Sequence, residues 1–342
     1  MDQPEPFESS ASPVASCLIV IPCLNEAAHI GGLLKQFRSS AERLNGLIVV
    51  ADGGSRDGTV EIVVEAARKD PLIKLVHNSK RIQSAAINLA VERFGGDLAY
   101  LIRIDAHGGY PDDYCDRLVA EAEKTDADSV VVSMRTLGEG ALQFATAAAQ
   151  NSKLGTGGSR HRHTSGGEWV DHGHHALMRI AAFRAVGGYD ESFSHNEDAE
   201  LDWRLGLAGK RIWLTGATQM DYFPRTSLSG LFKQYLGYGK GRARNILKHR
   251  VVPKVRQALP LGVFPVVLLA LLAPLHWLAV VPFLAWAGIC LAYGAAMAFK
   301  ARDARLLLSG VSAMVMHFAW SLGFWLQLLH LPMSPTRKVQ PA

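Results

Sequence analysis

Acidic residues almost vanish from the last third of this 342-residue chain: after Asp221 only Asp303 remains. Residues 1–221 carry 22 Lys and Arg against 30 Asp and Glu, whereas residues 222–256 carry nine basic side chains and no acid. A nucleic-acid binder concentrates basic charge on its folded domain; here that domain is net acidic, so nucleic acid is not an expected partner. Charge of either sign is missing from 257–299 and again from 306–336, runs of 43 and 31 residues. A helix crosses the ~30 Å hydrocarbon core of a bilayer in about 20 residues. The first run is long enough for two passes, with a break around Pro274 to Pro282, and the second for one.

Cysteine is scarce. Cys17, Cys23, Cys115 and Cys290 have no paired spacing and form no CxxC, which excludes a disulfide framework or a cysteine zinc site and suits a reducing cytoplasm. Residues 1–16 are polar and acidic with three prolines, unlike a signal peptide. No GxGxxG follows the first apolar run, which argues against a dinucleotide-binding oxidoreductase.

What is present is regular. Cys17 to Pro22 is a short apolar run closed by proline, the pattern of a buried parallel strand. Ala28 to Ser40 has apolar residues at helical spacing. Strand-like runs at Leu47 to Ala51, Leu72 to Val76 and Leu98 to Ile104 alternate with helical segments at Val60 to Arg68 and Ser84 to Phe94. This alternation predicts a mostly parallel α/β sheet with helices on both faces, and such sheets bind ligands at the carboxyl ends of their strands. Each predicted strand delivers polar groups there: Asn25-Glu26, Asp52-Gly53-Gly54, Lys80-Arg81 and Asp105-Ala106-His107.

These groups suggest chemistry. An Asp at a strand end, beside glycines that let the backbone approach a ligand, can accept hydrogen bonds from a base edge or ribose. Asp57 or Ser55 can cap the following helix. With one residue between them, Asp105 and His107 fall on the same side of an extended chain, and a carboxylate with an imidazole suits Mn²⁺. Five histidines lie between His161 and His175 without zinc-site spacing, which reads as a polar, mobile loop lining a cleft. Asn196 to Leu205 reads as a helix with its acids in the first turn, where the helix dipole favours them. Leu201, Leu205 and Ala208 would bury one face and leave Asp198 and Asp202 nearer another.

In order along the chain, Ile21-Pro22-Cys23-Leu24-Asn25-Glu26, Ala51-Asp52-Gly53-Gly54-Ser55-Arg56-Asp57-Gly58-Thr59, Asp105-Ala106-His107, Gly187-Gly188-Tyr189-Asp190-Glu191 and Glu197-Asp198 resemble the motifs of the family 2 inverting glycosyltransferases of the GT-A fold. Within that family the chain looks most like the glucosyltransferases of bacterial exopolysaccharide assembly, succinoglycan included. The resemblance covers roughly residues 17–250.

The resemblance implies a GT-A domain over 17–225 after a flexible 1–16, basic membrane-surface helices over 226–256, about three transmembrane helices within 257–332, and a tail over 333–342. It implies a nucleotide sugar bound by Pro22, Asn25, Glu26, Asp52, Arg81 and Asp105, a Mn²⁺ or Mg²⁺ ion on Asp105 and His107, and Asp198 as catalytic base. Acceptor contacts would fall on Asp171, Gly173, His174, Gln234 and Arg242. The expected reaction moves one sugar, glucose from UDP-glucose, onto a lipid-linked saccharide at the bacterial inner membrane, with the catalytic domain in the cytoplasm and other exopolysaccharide assembly proteins as possible partners. The chain departs from the family pattern at Ala51, where the family's usual Asp-Asp-Gly-Ser has its first Asp, and at His107, the third place of the DxD. Gln234-Tyr-Leu-Gly-Tyr238 lacks the Arg-Trp of the processive synthases' QxxRW. Single-sugar addition is therefore expected over polymerisation. A polyprenyl-phosphate glycosyltransferase and a processive polysaccharide synthase are the alternatives, with a non-catalytic scaffold as a rival of a different class.

Overall fold

The computed structural model describes residues 16–156, 166–251 and 258–330. The chain divides into two compact units, the first drawn from residues up to 133, 165–191 and 201–220, the second from 134–164, 192–200 and 221 onward.

The first unit opens with the expected alternation: β1 (Cys17–Cys23), α1 (Ala27–Arg43), β2 (Leu47–Asp52), α2 (Thr59–Lys69), β3 (Ile73–His77), α3 (Gln83–Phe94), β4 (Tyr100–Arg103) and α4 (Tyr114–Thr125). Along α1 the side chains of Ile30, Leu33, Leu34, Phe37 and Ala41 recur at helical spacing and all are buried. Full burial of an Ile or Phe there contributes roughly 1.5–3 kcal/mol. The chain continues through β5 (Ser129–Thr136), α5 (Gly140–Asn151), the one-turn α6 (Lys153–Thr156), β6 (Glu168–Val170), β7 (His174–Arg179), α7 (Ile180–Ala185), α8 (Glu197–Leu207) and β8 (Ile212–Tyr222).

The strands form one sheet in the order β3-β2-β1-β4-β7-β5-β8-β6. The β1–β2, β2–β3 and β1–β4 pairs are parallel, while β4–β7, β5–β7 and β6–β8 are antiparallel. Local alternation foretells the parallel half. The antiparallel half rests on β7 inserting between β4 and β5, a long-range choice that no local period encodes. Its passage is tight: a Cβ on Gly173 would stand 2.4 Å from Val131 Cγ2. A core of Leu18, Val20, Val49, Leu101, Met178, Phe183, Leu201 and Leu205 lies against one face of the parallel half.

The second unit is helical at its end: α9 (Leu228–His249), α10 (Val263–Ala270), α11 (Val281–Ala301) and α12 (Leu308–His330). Ser227 caps α9 by accepting the Gly230 amide at 3.1 Å. Among the described residues two helical stretches, Trp277–Ala301 and Ala304–Leu329, are long and apolar enough to cross a membrane, and Leu259–Ala270 is a shorter apolar helix. About three passes are expected from the uncharged runs; the stretch expected to supply the first pass is thus shorter than a full crossing. The other two differ in burial. The apolar core of Trp277–Ala301 is 17% buried within the chain, that of Ala304–Leu329 50%. The difference arises because α12 packs along α9. A Cβ on Gly239 would stand 2.0 Å from the Trp320 carbonyl oxygen, and one on Gly323 2.1 Å from that of Leu236. Only glycine permits this approach.

Candidate active site

The carboxyl ends of the parallel strands assemble one connected polar edge in the first unit. After β1, Asn25 takes a left-handed conformation with φ 59°. Its amide donates to Ser55 Oγ at 2.8 Å, and its Oδ1 accepts the Arg56 amide at 2.9 Å. The Glu26 amide donates to Thr59 Oγ1 at 2.8 Å, and Asp57 accepts the amides of Ala27 and Thr59. Asp57 thus serves the starts of both α1 and α2, where an Asp57 or Ser55 cap is expected for α2 alone.

Asp52, only 3% exposed, spends its carboxylate on its own turn. It accepts the Gly54 amide at 2.7 Å, the Ser55 amide at 3.1 Å and the Ser55 hydroxyl at 2.5 Å. The sequence reading gives Asp52 a direct role on the nucleotide; the structure shows it first of all shaping the Gly53-Gly54 turn. Arg81, also left-handed at φ 58°, brings its guanidinium within 3.5 Å of where a Gly54 Cβ would stand. Lys80 instead pairs with Glu191.

Asp105 is the centre of the edge. Its Oδ1 accepts from Gln83 Nε2 at 2.9 Å and Arg103 Nε at 3.2 Å, and its Oδ2 lies 3.5 Å from His174 Nε2. Burial alone would raise the carboxyl, but Arg103, His174 and His107 outweigh it and hold the pKa down to about 2. Asp105 is therefore a carboxylate at any ordinary pH. His107 reaches the site differently from expected. The chain turns at Ala106-His107 and the Gly108 amide closes back on the Asp105 carbonyl at 3.1 Å, so the same-side argument for an extended chain does not apply. His107, half-exposed, instead places Nδ1 3.3 Å from Glu26 Oε1.

Three of the five clustered histidines are held in place, not in a mobile loop. His174 meets Asp105 as described. His175, fully buried, sets Nε2 2.6 Å from Asp202 Oδ1 and Nδ1 2.6 Å from the Tyr189 hydroxyl. His172 Nδ1 lies 2.7 Å from Asp202 Oδ2. His161 and His163 lie outside the described residues. Asp202 is itself only 2% exposed, where the helix periodicity places it toward an open face. Burial works to raise its carboxyl, yet His175 and His172 hold it below the ordinary range. Ala208, expected to share the buried face with Leu201 and Leu205, is exposed. The turn Gly187-Gly188, with φ of 78° and 69°, docks on α3 through Asn88, whose Oδ1 accepts the Tyr189 amide at 2.9 Å.

In the second unit, Asp198 occupies the first turn of α8, one turn before Asp202, and is partly exposed. Gln234 is engaged by two phenols, donating to Tyr222 at 2.7 Å and Tyr238 at 3.0 Å. Arg242 lies on α9, partly exposed. In the first unit Asp171 is exposed, and the Gly173 amide donates to Asp202 at 3.2 Å. Gln83 and Arg103 are members of the edge to which the sequence assigns no role, whereas Tyr189 comes from the Gly187-to-Glu191 motif and joins through His175. Gln83 and Arg103 flank Lys80-Arg81 and Asp105 closely enough to have been suspected.

The family profile described as Glycosyl transferase family 2 matches residues 18–187. The succinoglycan biosynthesis protein ExoA of Rhizobium meliloti (strain 1021) is 61% identical over 314 residues, covering 92% of this chain and 95% of the relative. The chain belongs to glycosyltransferase family 2. Over a shorter stretch this glycosyltransferase is 35% identical to an undecaprenyl-phosphate 4-deoxy-4-formamido-L-arabinose transferase of Pseudomonas savastanoi pv. phaseolicola, covering 33% of this chain and 34% of that one. Among solved structures, mannosyltransferase PcManGT from Pyrobaculum calidifontis, in complex with GDP-Man and Mn2+, aligns with a TM-score of 0.51 at 19% identity over 88% of this chain and 86% of that one. The likeness establishes the GT-A type of fold for this glycosyltransferase.

Among the described residues no group of three or more His, Cys, Asp or Glu is assembled to hold a divalent ion. Asp105 and His107 supply one ionised oxygen ligand and one nitrogen ligand, a set that suits Mn²⁺ when a substrate contributes the remaining oxygens. By residue type the pair suits an ion whose remaining ligands come from a substrate, while in this structure His107 rests on Glu26 and Asp105 on Gln83, Arg103 and His174.

Proposed function

We propose that this glycosyltransferase is membrane-anchored and moves a single glucose from UDP-glucose to a lipid-linked saccharide during exopolysaccharide assembly, with inversion. The observation that carries the reading is the Asp105 edge: a carboxylate held by Gln83, Arg103 and His174, next to the turn that Asp52 shapes and Arg81 borders. The exopolysaccharide assignment draws on the similarity to the succinoglycan protein, and membrane anchoring on the two long apolar helical stretches.

Asp198 takes the proton from the acceptor hydroxyl. The freed oxygen pair forms the new bond to the anomeric carbon as the bond from that carbon to the diphosphate oxygen breaks, and the nucleoside diphosphate leaves with the electron pair. Asn25, Glu26 and the Asp52 turn frame the nucleotide, and Arg81 opposes charge gathering on the diphosphate. A Mn²⁺ or Mg²⁺ ion held by Asp105 and His107 would supply further electrostatic stabilisation of that leaving group. Asp171, Gly173, His174, Gln234 and Arg242 remain the proposed acceptor contacts. For three of them the neighbours described above suggest a supporting role: Gly173 lets β7 pass, His174 steadies Asp105, and Gln234 steadies two tyrosines.

The test incubates membranes containing the protein with a panel of radiolabelled sugar nucleotides and follows label into extracted lipid. Label from UDP-glucose that is released as a short oligosaccharide by mild acid supports the reading. Label entering lipid as a single sugar on polyprenyl phosphate would instead favour the second reading, which the local similarity to the arabinose transferase supports.

A further inference from the structure

The second unit contains a cavity of about 310 Å³ that the reaction described above does not use. Its walls carry Lys233, Lys240 and Arg244 of α9, Ser194 and His195 of the loop before α8, and Gln327 of α12, and no carboxylate lines it. Positions 233, 237, 240, 241 and 244 share one stripe of α9. Two of them are glycines for a steric reason. A Cβ on Gly237 would stand 2.5 Å from His195 Nε2, and one on Gly241 2.3 Å from the His195 carbonyl oxygen. The glycines let the loop lie flat on the helix, and Asn196, left-handed at φ 63°, pins it by donating to the Tyr238 carbonyl at 2.9 Å.

The cations in this wall have different circumstances. Arg244 is committed, donating to the Ser192 carbonyl and stacking 4.9 Å over the Phe193 ring. Further along α9, Lys248 is spent on the buried Glu200, which also takes His249 at 3.0 Å. Lys233 and Lys240 have no carboxylate partner among the described residues. His195 feels the result: burial, then the charges of Arg225 and Lys240, hold it below its ordinary value. The cavity is thus an open, positive recess in which Lys233 and Lys240 are solvent-exposed and able to turn to an incoming anion. It lies where the basic helix is locked on an apolar one through Gly239 and Gly323. A ligand that fits must offer concentrated negative charge together with an apolar part. His195 is also three residues before Asp198, within the same unit.

We propose that this cavity binds the diphosphate of the polyprenyl-linked acceptor through Lys233 and Lys240. The inference rests on the reading of the acceptor as lipid-linked. An anionic phospholipid headgroup has related phosphate chemistry, and the experiment separates the two sources.

The full-length protein in neutral-detergent micelles is titrated with undecaprenyl diphosphate, with undecaprenol, and with phosphatidylglycerol. The same titrations are run on a Lys233→Gln/Lys240→Gln variant and on Lys69→Gln, an exposed α2 control, at matched folded fractions by thermal melt. Loss of at least tenfold in undecaprenyl diphosphate affinity in the double variant alone, with undecaprenol and phosphatidylglycerol binding unchanged, is the expected result. Loss of phosphatidylglycerol binding with diphosphate binding intact would make the cavity a headgroup site and overturn the assignment. No change for either ligand would overturn it too. None of these readouts requires sugar transfer. If diphosphate binding depends on the two lysines while no sugar nucleotide is ever turned over, the proposed reaction fails and the site stands.

Discussion

The two units treat charge differently. In the first, buried charges answer one another across the sheet: Asp105 meets Arg103 and His174, and Asp202 meets His172 and His175. In the second, Glu200 is matched by Lys248 and His249, yet Lys233 and Lys240 face a cavity without a carboxylate. A buried charge is costly unless paired, so internal pairing makes a stiff frame, whereas the exposed Lys233 and Lys240 stay hydrated and lend the recess a positive field that attracts a ligand of opposite sign. On the proposed reading the first unit would hold the donor in fixed geometry, and the second would combine Asp198 with a site for a charged, lipid-borne acceptor.

The sharpest test of that division is Asp198→Asn. Loss of a general base costs about 10²–10⁴-fold in rate. Nucleotide affinity should survive, because the donor frame belongs to the first unit. Retention of more than a tenth of the activity at matched folded fraction would remove Asp198 from the mechanism.

Asp202→Asn probes the pairing itself. Removing one partner of a buried ionic network costs roughly 3–5 kcal/mol, so the melting temperature should fall steeply. The pH dependence has a definite sign. A carboxyl held below its unfolded value adds stability that is present above that unfolded value, about 3.8, and is lost as pH falls through the lower folded one. The variant should therefore lose less stability on acidification than the wild type does. Identical acid sensitivity in calorimetric scans would mean that Asp202 is not the ionised partner of the two histidines.

His174→Ala asks whether the partners of Asp105 serve the donor. Groups that orient a metal ligand typically contribute 10–100-fold to metal affinity. The metal concentration giving half-maximal turnover should rise by that factor in the variant while staying unchanged in Asp198→Asn. Full turnover of the wild type in excess chelator would defeat the metal proposal outright.

The smallest effect is expected from Gly239→Ala. The added methyl would press on the Trp320 carbonyl, and overpacking of that kind costs about 1–3 kcal/mol. A calorimetric transition that shifts by several degrees with the donor site still binding nucleotide would show that the α9–α12 contact can be loosened without disturbing the first unit.

Much of this molecule was legible in the sequence. The strand-helix alternation up to Ile104, the polar residues closing each parallel strand and the uncharged runs follow from short-range periods, because a strand repeats every two residues and a helix every 3.6. Tertiary structure alone decided the rest. Asp202 looked accessible because helical spacing fixes a face but not what covers it; the chain near His172 and His175 covers it. His174 and His175 are neighbours in sequence, yet β7 enters between β4 and β5 so that one turns to Asp105 and the other to Asp202. The uncharged 306–336 run read as a membrane pass, while the glycines of α9 and α12 half-bury that helix against a basic partner. In each case the deciding contact joins residues tens of positions apart, and which distant segments meet is set by packing and strand order, not by any local pattern.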